Sequence, residues 1–384
     1  MIVETVRTPI GRAFKGSLKE LRSDDLGGHV IRALMERVPE LPPGDVVDVI
    51  CGTANESGEQ AMNLGRLVGA LGGLPDVVAG TTVNRFCASS LQAVRMAHHA
   101  IVAGAGDTFI AAGVECVSRV AGRDFDETEK NPRFTDPSRP DYVNDMYIVM
   151  GETAENVADR WGVTREDMDA IAVRSHTRAL AAQASGFFAR EIVPVTLPDG
   201  TVVDTDDHPR PGTSMEGLAA LKPAFRPDGR VTAGNACPLS DGAAAVLVTS
   251  AEKAAALGAR PRARILASAV SGLGPEIMGV GPIEAVGRVL AMAGMTIADV
   301  DVVELNEAFA AQVIPVCDEL GIDIDRQLNP HGGAIALGHP FGMTGARILG
   351  TLLNDLETLD ATIGLETMCI GGGQGMAMLV ERLS

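Results

Sequence analysis

The chain has 384 residues, more than one ordinary single-core domain contains, so two or three substructures are expected. Hydrophobic residues make up 46% and charged residues 21%, and no apolar run approaches the roughly 20 residues that span a bilayer. The net charge of −18 argues against a nucleic acid or an anionic membrane surface as partner. It does not exclude a phosphorylated small molecule, which a few arginines and helix N-termini can hold.

The amino-terminal sequence and the cysteines both indicate a cytoplasmic protein. The short apolar stretch in MIVETVRTPIGR precedes the first arginine, which is the reverse of a secretory signal. The cysteines are widely scattered without the paired spacing of a zinc site, as is usual for a reducing compartment. We therefore predict neither a disulfide framework nor a metal site.

Cys87 lies where a run with strand character, residues 77–83, gives way to a helical pattern that begins near Leu91. The small residues that follow Cys87 would leave its sulfur over the first turn of a helix. Unpaired backbone N–H groups and the positive dipole end favour a thiolate there, so the position suits a nucleophile. Free cysteines are also among the most buried residues, and a purely structural role is the alternative.

The middle of the chain, residues 119–236, differs in amino-acid composition from the regions with α/β patterns on either side. It is rich in Asp, Arg and Pro and surrounds a predicted helical pair, residues 151–161 and 165–185. Thr164 with Asp167 three residues later gives a capping-box signal for the second helix. We interpret this region as an inserted, partly irregular subdomain.

The two flanking regions resemble each other at a constant offset of 253 residues. VDVI at 47–50 matches VDVV at 300–303, and DTFI at 107–110 matches DATI at 360–363. At the same offset Cys87 corresponds to Pro340, beside His339. The pattern predicts a duplicated α/β unit whose equivalent loops meet at one end of paired sheets, where such folds bind ligands.

Four stretches carry the candidate chemistry: NRFCASS around Cys87, ELNEAFAAQ around Asn306, NPHGGAIALGHPFGMTGAR around His339 and TMCIGGGQG around Cys369. In this order, and over nearly the whole chain, they resemble the thiolase family. The resemblance implies a five-layered αβαβα fold, built from two duplicated halves with an inserted loop domain that covers an acyl-CoA. The implied divisions are 1–117 plus 238–259 for the N-terminal half, 118–237 for the loop domain and 260–384 for the C-terminal half.

The resemblance also implies a role for each motif residue in cleaving a 3-ketoacyl-CoA with CoA. The thiolate of Cys87 attacks the 3-keto carbon, and His339 takes the Cys87 proton and helps to bind the thioester oxygen. Cys369 is the candidate that protonates the acetyl-CoA enolate, and Asn306 positions a water in the oxyanion hole beside His339. The backbone N–H groups of Cys87 and Gly371 form a second oxyanion hole for the acyl-enzyme.

Substrate contacts and departures from the family pattern follow from the same resemblance. The positions matched to the acyl pocket and the CoA contacts are Met150, Arg210, Phe225, Cys237 and Phe309. Ser89-Ser90 stands where the family usually has Ser-Gly, and Asn235-Ala236-Cys237-Pro238 where Asn-Ala-Ser-Gly is common. Because a thiol is a weaker hydrogen-bond partner than a hydroxyl, CoA affinity or loop position is expected to differ. His331, where many relatives have Asn, has no role assigned.

We expect a degradative acetyl-CoA C-acyltransferase of the β-oxidation type that needs no cofactor beyond its substrates. An acetoacetyl-CoA thiolase is the closest alternative, although Val149 replaces the His that those enzymes often carry. A ketosynthase pairs its cysteine with two histidines and fits less well. A thiolase-like acyl-CoA-binding protein without turnover is the alternative from another class. The resemblance further suggests a homotetramer or homodimer, and a hydratase-dehydrogenase partner is an open possibility.

Overall fold

The computed structural model describes residues 1–122 and 127–383, so residues 123–126 of the predicted insert and Ser384 lie outside the described residues. The strands in these ranges are β1 (Ile2–Arg7), β2 (Gly11–Arg12), β3 (Asp48–Gly52), β4 (Ala79–Val83), β5 (Thr108–Cys116), β6 (Val195–Thr196), β7 (Val202–Val203), β8 (Ser240–Thr249), β9 (Ala263–Gly272), β10 (Val302–Leu305), β11 (Ile363–Ile370) and β12 (Gln374–Arg382).

The α-helices in the same ranges are α1 (Ser23–Arg37), α2 (Leu64–Leu71), α3 (Ser89–Val102), α4 (Val117–Val120), α5 (Pro132–Thr135), α6 (Met150–Trp161), α7 (Arg165–Ala184), α8 (Met215–Ala219), α9 (Ala251–Leu257), α10 (Gly281–Ala293), α11 (Ala310–Leu320), α12 (Ala334–Leu337) and α13 (Thr344–Thr358). Short 3-10 turns lie at Pro43–Asp45, Gly58–Gln60, Phe86–Ala88, Glu127–Glu129, Phe187–Arg190, Pro275–Val280 and Ile297–Asp299. No helix in the described part of the chain has the length and apolar character needed to traverse a bilayer.

The main sheet runs in the order β4-β3-β5-β8-β1-β9-β12-β11-β10, with β2 paired to β8, and β6 and β7 form a separate small sheet. β1 and β9 join the two halves where Ile2 lies opposite Ala263. On one side β3 is parallel to β5 and β5 antiparallel to β8. On the other side β10 is parallel to β11 and β11 antiparallel to β12. The predicted repeat is confirmed, because its matched segments fall on β3 with β10 and on β5 with β11.

Helices cover both halves of the sheet in five layers, because every strand face must be shielded from water. α1 and α2 pack on the outer face of the N-terminal half, and α10 packs on the outer face of the C-terminal half. α3 and α13 contact each other, α3 packs on strands of the N-terminal half and α13 contacts strands of both halves, so the two helices form the middle layer. Three buried apolar clusters fill the interfaces, and the middle one contains Leu91 of α3 and Leu349 of α13.

The region between the halves contains the two predicted helices as α6 and α7, within one residue of the expected bounds. The predicted capping box is confirmed: the Thr164 hydroxyl accepts the N–H of Asp167, and the Asp167 carboxylate accepts the N–H of Thr164. Ion pairs of Arg7, a residue of β1 that is 1% exposed, connect this region to the strand. Its guanidinium donates to Glu191 at 2.6 Å and to Asp206 at 2.7 and 2.9 Å.

Candidate active site

Cys87 lies in the 3-10 turn Phe86–Ala88, between the end of β4 and the start of α3. Phe86 has a φ of +45°, a region that residues with side chains rarely adopt. The turn is fixed by Ser89, whose hydroxyl accepts the N–H of Arg85 at 2.9 Å and donates to the carbonyl of Phe86 at 2.7 Å. The strained backbone at Phe86 and the two hydrogen bonds of Ser89 together hold Cys87 at the end of the strand.

Ser90, which departs from the family pattern, has a defined role in joining the two halves. Its hydroxyl accepts the backbone N–H of Ala346 on α13 at 2.9 Å. The opposite residue is Gly113, where a Cβ would lie 2.6 Å from that of Ser90. The extra hydroxymethyl group is therefore accommodated by a glycine and used as a contact between α3 and α13.

Cys87 opens into a cleft of about 470 Å³ whose lining is mainly apolar. The cleft lies at the carboxyl ends of β4 and β11, as expected for the binding end of an α/β fold. Its lining residues are Ala54, Phe86, Cys87, Phe134, Met146, Tyr147, Ile148, Met150, Phe341, Gly371 and Gly372. The predicted Met150 and Gly371 are thus brought together with Cys87.

Burial raises the pKa of the Cys87 thiol well above its ordinary value, and the neighbouring Cys369 and Cys237 raise it further. The backbone N–H of Gly371 interacts with the sulfur and lowers this pKa, but by less than burial raises it. The expectation that this position would favour a thiolate was therefore wrong, because burial is the largest influence on the Cys87 pKa and raises it. Cys87 keeps its proton until a base removes it.

His339 has the protonation state and tautomer of such a base. Burial and the nearby Arg347 lower its pKa to about 3, so the ring is neutral at physiological pH. The Thr344 hydroxyl donates to the carbonyl of Pro340 at 2.8 Å and must therefore accept from Nδ1 of His339, which lies 2.6 Å away. This leaves Nε2 unprotonated, with a lone pair that can accept a hydrogen bond or a proton. The His339 ring lies edge-on to Phe341, 5.0 Å between centroids, and Phe341 lines the Cys87 cleft.

Asn306 is buried beside His339, with its Nδ2 3.3 Å from Nε2 of the ring. It follows β10 directly, and β10 is parallel to β11, so Asn306 and Gly371 lie at the same sheet edge. Within the described residues its Oδ1 is buried without a hydrogen-bond partner. A buried unpaired acceptor is costly, and its presence next to a neutral histidine is typical of a site that binds a polar group.

Cys369 lies at the end of β11 and is fully buried. Burial raises the pKa of its thiol to about 11, and a hydrogen bond from Gln312 acts in the opposite direction. Nε2 of Gln312 lies 2.9 Å from Sγ of Cys369. Cys369 lies close enough to Cys87 to raise the pKa of the Cys87 thiol, so the two thiols face the same site.

The glycine-rich loop around His339 packs directly against the N-terminal half. A Cβ on Gly342 would lie 2.6 Å from Cα of Thr53, and one on Gly345 would lie 2.5 Å from the backbone N of Leu91. Buried Glu115 fastens this contact by accepting the N–H groups of Gly342 at 2.9 Å and Ala54 at 2.7 Å. The loop can reach the Cys87 turn only because these positions lack side chains.

The remaining predicted contacts do not line the Cys87 cleft, and they differ in exposure. Cys237 is half-buried, donates its backbone N–H to Ala308 at 3.0 Å and has its pKa raised to about 12 by burial and Cys369. Phe309 is buried, and its ring lies 6.2 Å from that of the exposed Phe225. Arg210 is exposed and donates its backbone N–H to His176 at 3.2 Å.

Sequence reasoning missed Thr344 and Gln312, although both lie within motifs that it singled out. It also missed Glu307, next to Asn306, whose buried carboxylate accepts from Ser175 at 2.6 Å and Asn329 at 2.9 Å. The only available signal was their place in the motifs, since their partners are distant in the chain. Glu307 holds the Asn306 loop against the segment that leads to His339.

His331 receives a structural explanation. Its Nδ1 is hydrogen-bonded to Asp355, and its ring stacks on Phe187 with 3.6 Å between centroids. Burial lowers the pKa of His331 to about 4 and raises that of the Asp355 carboxyl. The lowered pKa leaves the His331 ring neutral at physiological pH. His331 thus anchors α13 to the turn at Phe187–Arg190.

In residues 1–122 and 127–383 no group of three or more His, Cys, Asp or Glu side chains is arranged to hold a metal ion. The site chemistry is that of two thiols, a neutral imidazole, carboxamides and backbone N–H donors. Such a set can form a thioester, move protons and stabilise oxyanions.

Comparison with known proteins identifies the family. The thiolase N-terminal domain matches residues 1–252, and the thiolase C-terminal domain matches residues 259–382. The chain is 48% identical to a β-ketoadipyl-CoA thiolase of Acinetobacter baylyi, over 100% of this chain and 99% of that protein. It is 46% identical to the 3-oxoadipyl-CoA/3-oxo-5,6-dehydrosuberyl-CoA thiolase of Escherichia coli and to a 3-ketoacyl-CoA thiolase of Shewanella frigidimarina, with the same coverage.

Among solved structures, the acetyl-CoA acetyltransferase of Bacillus anthracis aligns with a TM-score of 0.89 at 38% identity, over 100% of this chain and 98% of that chain. The five αβαβα layers and the duplicated sheet halves described above therefore belong to a fold that this relative shares. The chain belongs to the thiolase family of acyltransferases.

Proposed function

We propose that the protein cleaves a 3-oxoacyl-CoA with free CoA, through an acyl-enzyme on Cys87, to give acetyl-CoA and a shortened acyl-CoA. The observation that carries this proposal is the placement of Cys87 in an apolar cleft, with the Gly371 N–H against its sulfur and Cys369 beside it. One thiol forms the thioester, and the second is available for proton transfer. The family's shared chemistry supports the same reaction.

The first half of the reaction begins with proton transfer from Cys87 to Nε2 of His339, which the Thr344 contact leaves unprotonated. The sulfur attacks the 3-keto carbon, and the bond between C2 and C3 breaks. The resulting enolate oxygen is stabilised by the now protonated His339 together with Asn306. Cys369 then protonates C2, which releases acetyl-CoA.

In the second half, free CoA attacks the thioester on Cys87. The thioester oxygen lies against the backbone N–H groups of Cys87 and Gly371. The absence of a side chain on Gly371 keeps this position open, since a Cβ there would face Met150 and Phe86 at 3.6 and 3.7 Å. Loss of one such donor typically costs about 2.7–4 kcal/mol of barrier.

For the acyl group we propose 3-oxoadipyl-CoA as the first substrate to test, because several of the relatives are named for it. A second candidate is an unsubstituted fatty 3-oxoacyl-CoA, which the cleft itself favours. Its lining includes Phe134, Ile148 and Met150 but no charged side chain among the described residues. Burying a carboxylate against such a surface would be costly.

Two six-carbon substrates separate these candidates, since 3-oxoadipyl-CoA and 3-oxohexanoyl-CoA differ in the terminal carboxylate. We expect at least a tenfold difference in kcat/KM between them. A site that pairs the terminal carboxylate with a polar group favours 3-oxoadipyl-CoA, whereas a site that only strips water from the carboxylate favours 3-oxohexanoyl-CoA. A preference for the dicarboxylic ester supports the role suggested by the relatives. The reverse preference would indicate that the natural substrate has an apolar acyl chain. Equal rates would contradict recognition of the acyl end. Acetoacetyl-CoA in the same assay tests the short-chain alternative.

The contact between Thr344 and His339 gives a further prediction. Thr344→Val removes the hydroxyl that fixes the tautomer, so Nε2 becomes protonated in part of the molecules or Nδ1–H loses its partner. We expect kcat for thiolysis to fall about 10- to 100-fold, with KM changed little. Thr344→Ser keeps the hydroxyl and is the matched control. Steady-state rates check this, and a Thr344→Val enzyme within threefold of the parent would contradict it.

Further proposals concern organisation and location. The sheet order supports the division into 1–117 plus 238–259, 118–237 and 260–384. We also propose a homotetramer or homodimer, for which the half-exposed edge strand β4 is a suitable surface. A cytoplasmic location and a hydratase-dehydrogenase partner remain proposals from the sequence.

A further inference from the structure

The carboxamide of Gln312 is buried against Cys369. Gln312 lies in the first turn of α11, is 0% exposed, and places Nε2 2.9 Å from Sγ of Cys369. Its Oε1 is buried without a hydrogen-bond partner among the described residues. On the opposite side is Gly279, where a Cβ would lie 3.0 Å from that Oε1. The carboxamide thus occupies a space that a larger residue at position 279 would narrow.

We propose that Gln312 is a positioning residue that holds Cys369 in place and stabilises its thiolate during proton transfer to and from C2 of acetyl-CoA. This inference rests on the proposed function of the site. The sequence between Asn306 and Gln312 is a single loop and helix start, so one segment supports both the oxyanion site and the second thiol.

The proton balance shows when this contact is needed. In cleavage the S–H bond of Cys369 breaks, its proton forms a C–H bond at C2 of the enolate, and the electron pair stays on sulfur. The thiolate then accepts the N–H of Gln312 until a proton from solvent restores the thiol, and CoA gives its own proton to solvent and attacks the acyl-enzyme as a thiolate. In the condensation direction the thiolate removes a C2 proton instead, and the same N–H stabilises the base before transfer.

The orientation of the carboxamide decides its effect. With Nε2 toward the sulfur, the N–H favours the thiolate and lowers the pKa of Cys369, against the burial that raises it to about 11. With Oε1 toward the sulfur, the amide would accept from S–H and favour the neutral thiol. Hydrogen bonds to ionised groups are stronger than neutral ones, so the first orientation assists proton transfer.

The test uses Gln312→Leu with Gln327→Leu as the matched control. Gln327 is also a buried carboxamide in the C-terminal half, and it donates to the carbonyl of Val300 at 2.6 Å, away from Cys369. In D₂O we expect hydrogen exchange at the acetyl-CoA methyl group to slow about 10- to 100-fold in Gln312→Leu. Acetylation of Cys87, followed by intact mass, should stay within about threefold. Gln327→Leu should change neither rate relative to the amount of folded protein.

Other outcomes overturn the inference. An unchanged rate of hydrogen exchange in Gln312→Leu would show that Gln312 does not assist Cys369. An equal fall in the rates of exchange and of Cys87 acetylation would show that Gln312 has only a general structural role. Gln312→Glu, which keeps the shape but cannot donate when ionised, should lose at least as much exchange. Parental exchange in that variant would favour the opposite carboxamide orientation and contradict the proposal.

A readout independent of turnover separates this inference from the proposed function. The rate at which iodoacetamide modifies Cys369 at pH 9, measured by peptide mapping, should fall about tenfold in Gln312→Leu because the thiolate is less populated. If the parent enzyme forms no acyl adduct on Cys87, the proposed function fails. The alkylation rate still decides whether Gln312 controls Cys369.

Discussion

Replacing Cys87 with serine is expected to reduce thiolysis roughly 10³- to 10⁵-fold, while CoA still binds. A hydroxyl is a much poorer nucleophile than a thiolate, and the neutral His339 cannot compensate for its low acidity. Steady-state rates with a 3-oxoacyl-CoA and calorimetry with CoA measure the two properties separately. The fold should persist, because the change keeps the size of the side chain nearly constant.

Cys317→Ala is the control for this variant. Cys317 is also a buried free thiol, but it lies on α11 within the outer apolar cluster of the C-terminal half. Its loss should affect stability rather than the rate per folded molecule. Retention of more than a tenth of the activity in Cys87→Ser would contradict the nucleophile assignment.

Replacing Arg7 with methionine is expected to lower the free energy of unfolding by about 3–5 kcal/mol. Arg7 is almost fully buried between Glu191 and Asp206, and its removal leaves two buried carboxylates without their cation. The loss acts at the junction between β1 and the inserted region. Urea unfolding of the folded enzyme measures it.

Arg288→Met is the matched control for Arg7. The Arg288 ion pair with Glu284 lies on the exposed side of α10, with side chains 51% and 65% exposed. Pairs of this kind contribute about 0.5 kcal/mol or less. A similar small loss for both variants would show that the Arg7 network contributes little to stability.

The sequence predicted the architecture well because the relevant signals are local or repeated. The capping box at Thr164 depends on residues three positions apart, and it is present. The offset of 253 residues rests on short strand patterns, and those strands occupy equivalent places in the two halves of the sheet. Motif order alone indicated which loops meet at the cleft.

The details that set the reactivity of the site could not be read from the sequence, because they depend on contacts between distant segments. The helix end at Cys87 predicted an easily formed thiolate, but burial beside Cys369 and Cys237 raises the pKa of the Cys87 thiol. The partner of Gln312 is 57 residues away along the chain. Such pairings become visible only once the two halves are packed together.

The same limit explains the departures from the family pattern. Ser90 departed from the family pattern and had no role assigned, yet its hydroxyl binds the backbone of α13, 256 residues away. His331 had no evident role until its partner Asp355 was known. In both cases the residue type was visible in the sequence, but its function lies in a contact across the domain interior.

The most direct test of the central claim is intact-protein mass spectrometry after brief mixing with acetyl-CoA, followed by peptide mapping and by a chase with free CoA. The structure predicts an acyl adduct on Cys87 that CoA discharges and that is absent from Cys87→Ser. The same experiment with 3-oxoadipyl-CoA and 3-oxohexanoyl-CoA should show which acyl group is transferred. Protein that binds CoA but forms no adduct on Cys87 with any of these donors would contradict the acyl-enzyme mechanism.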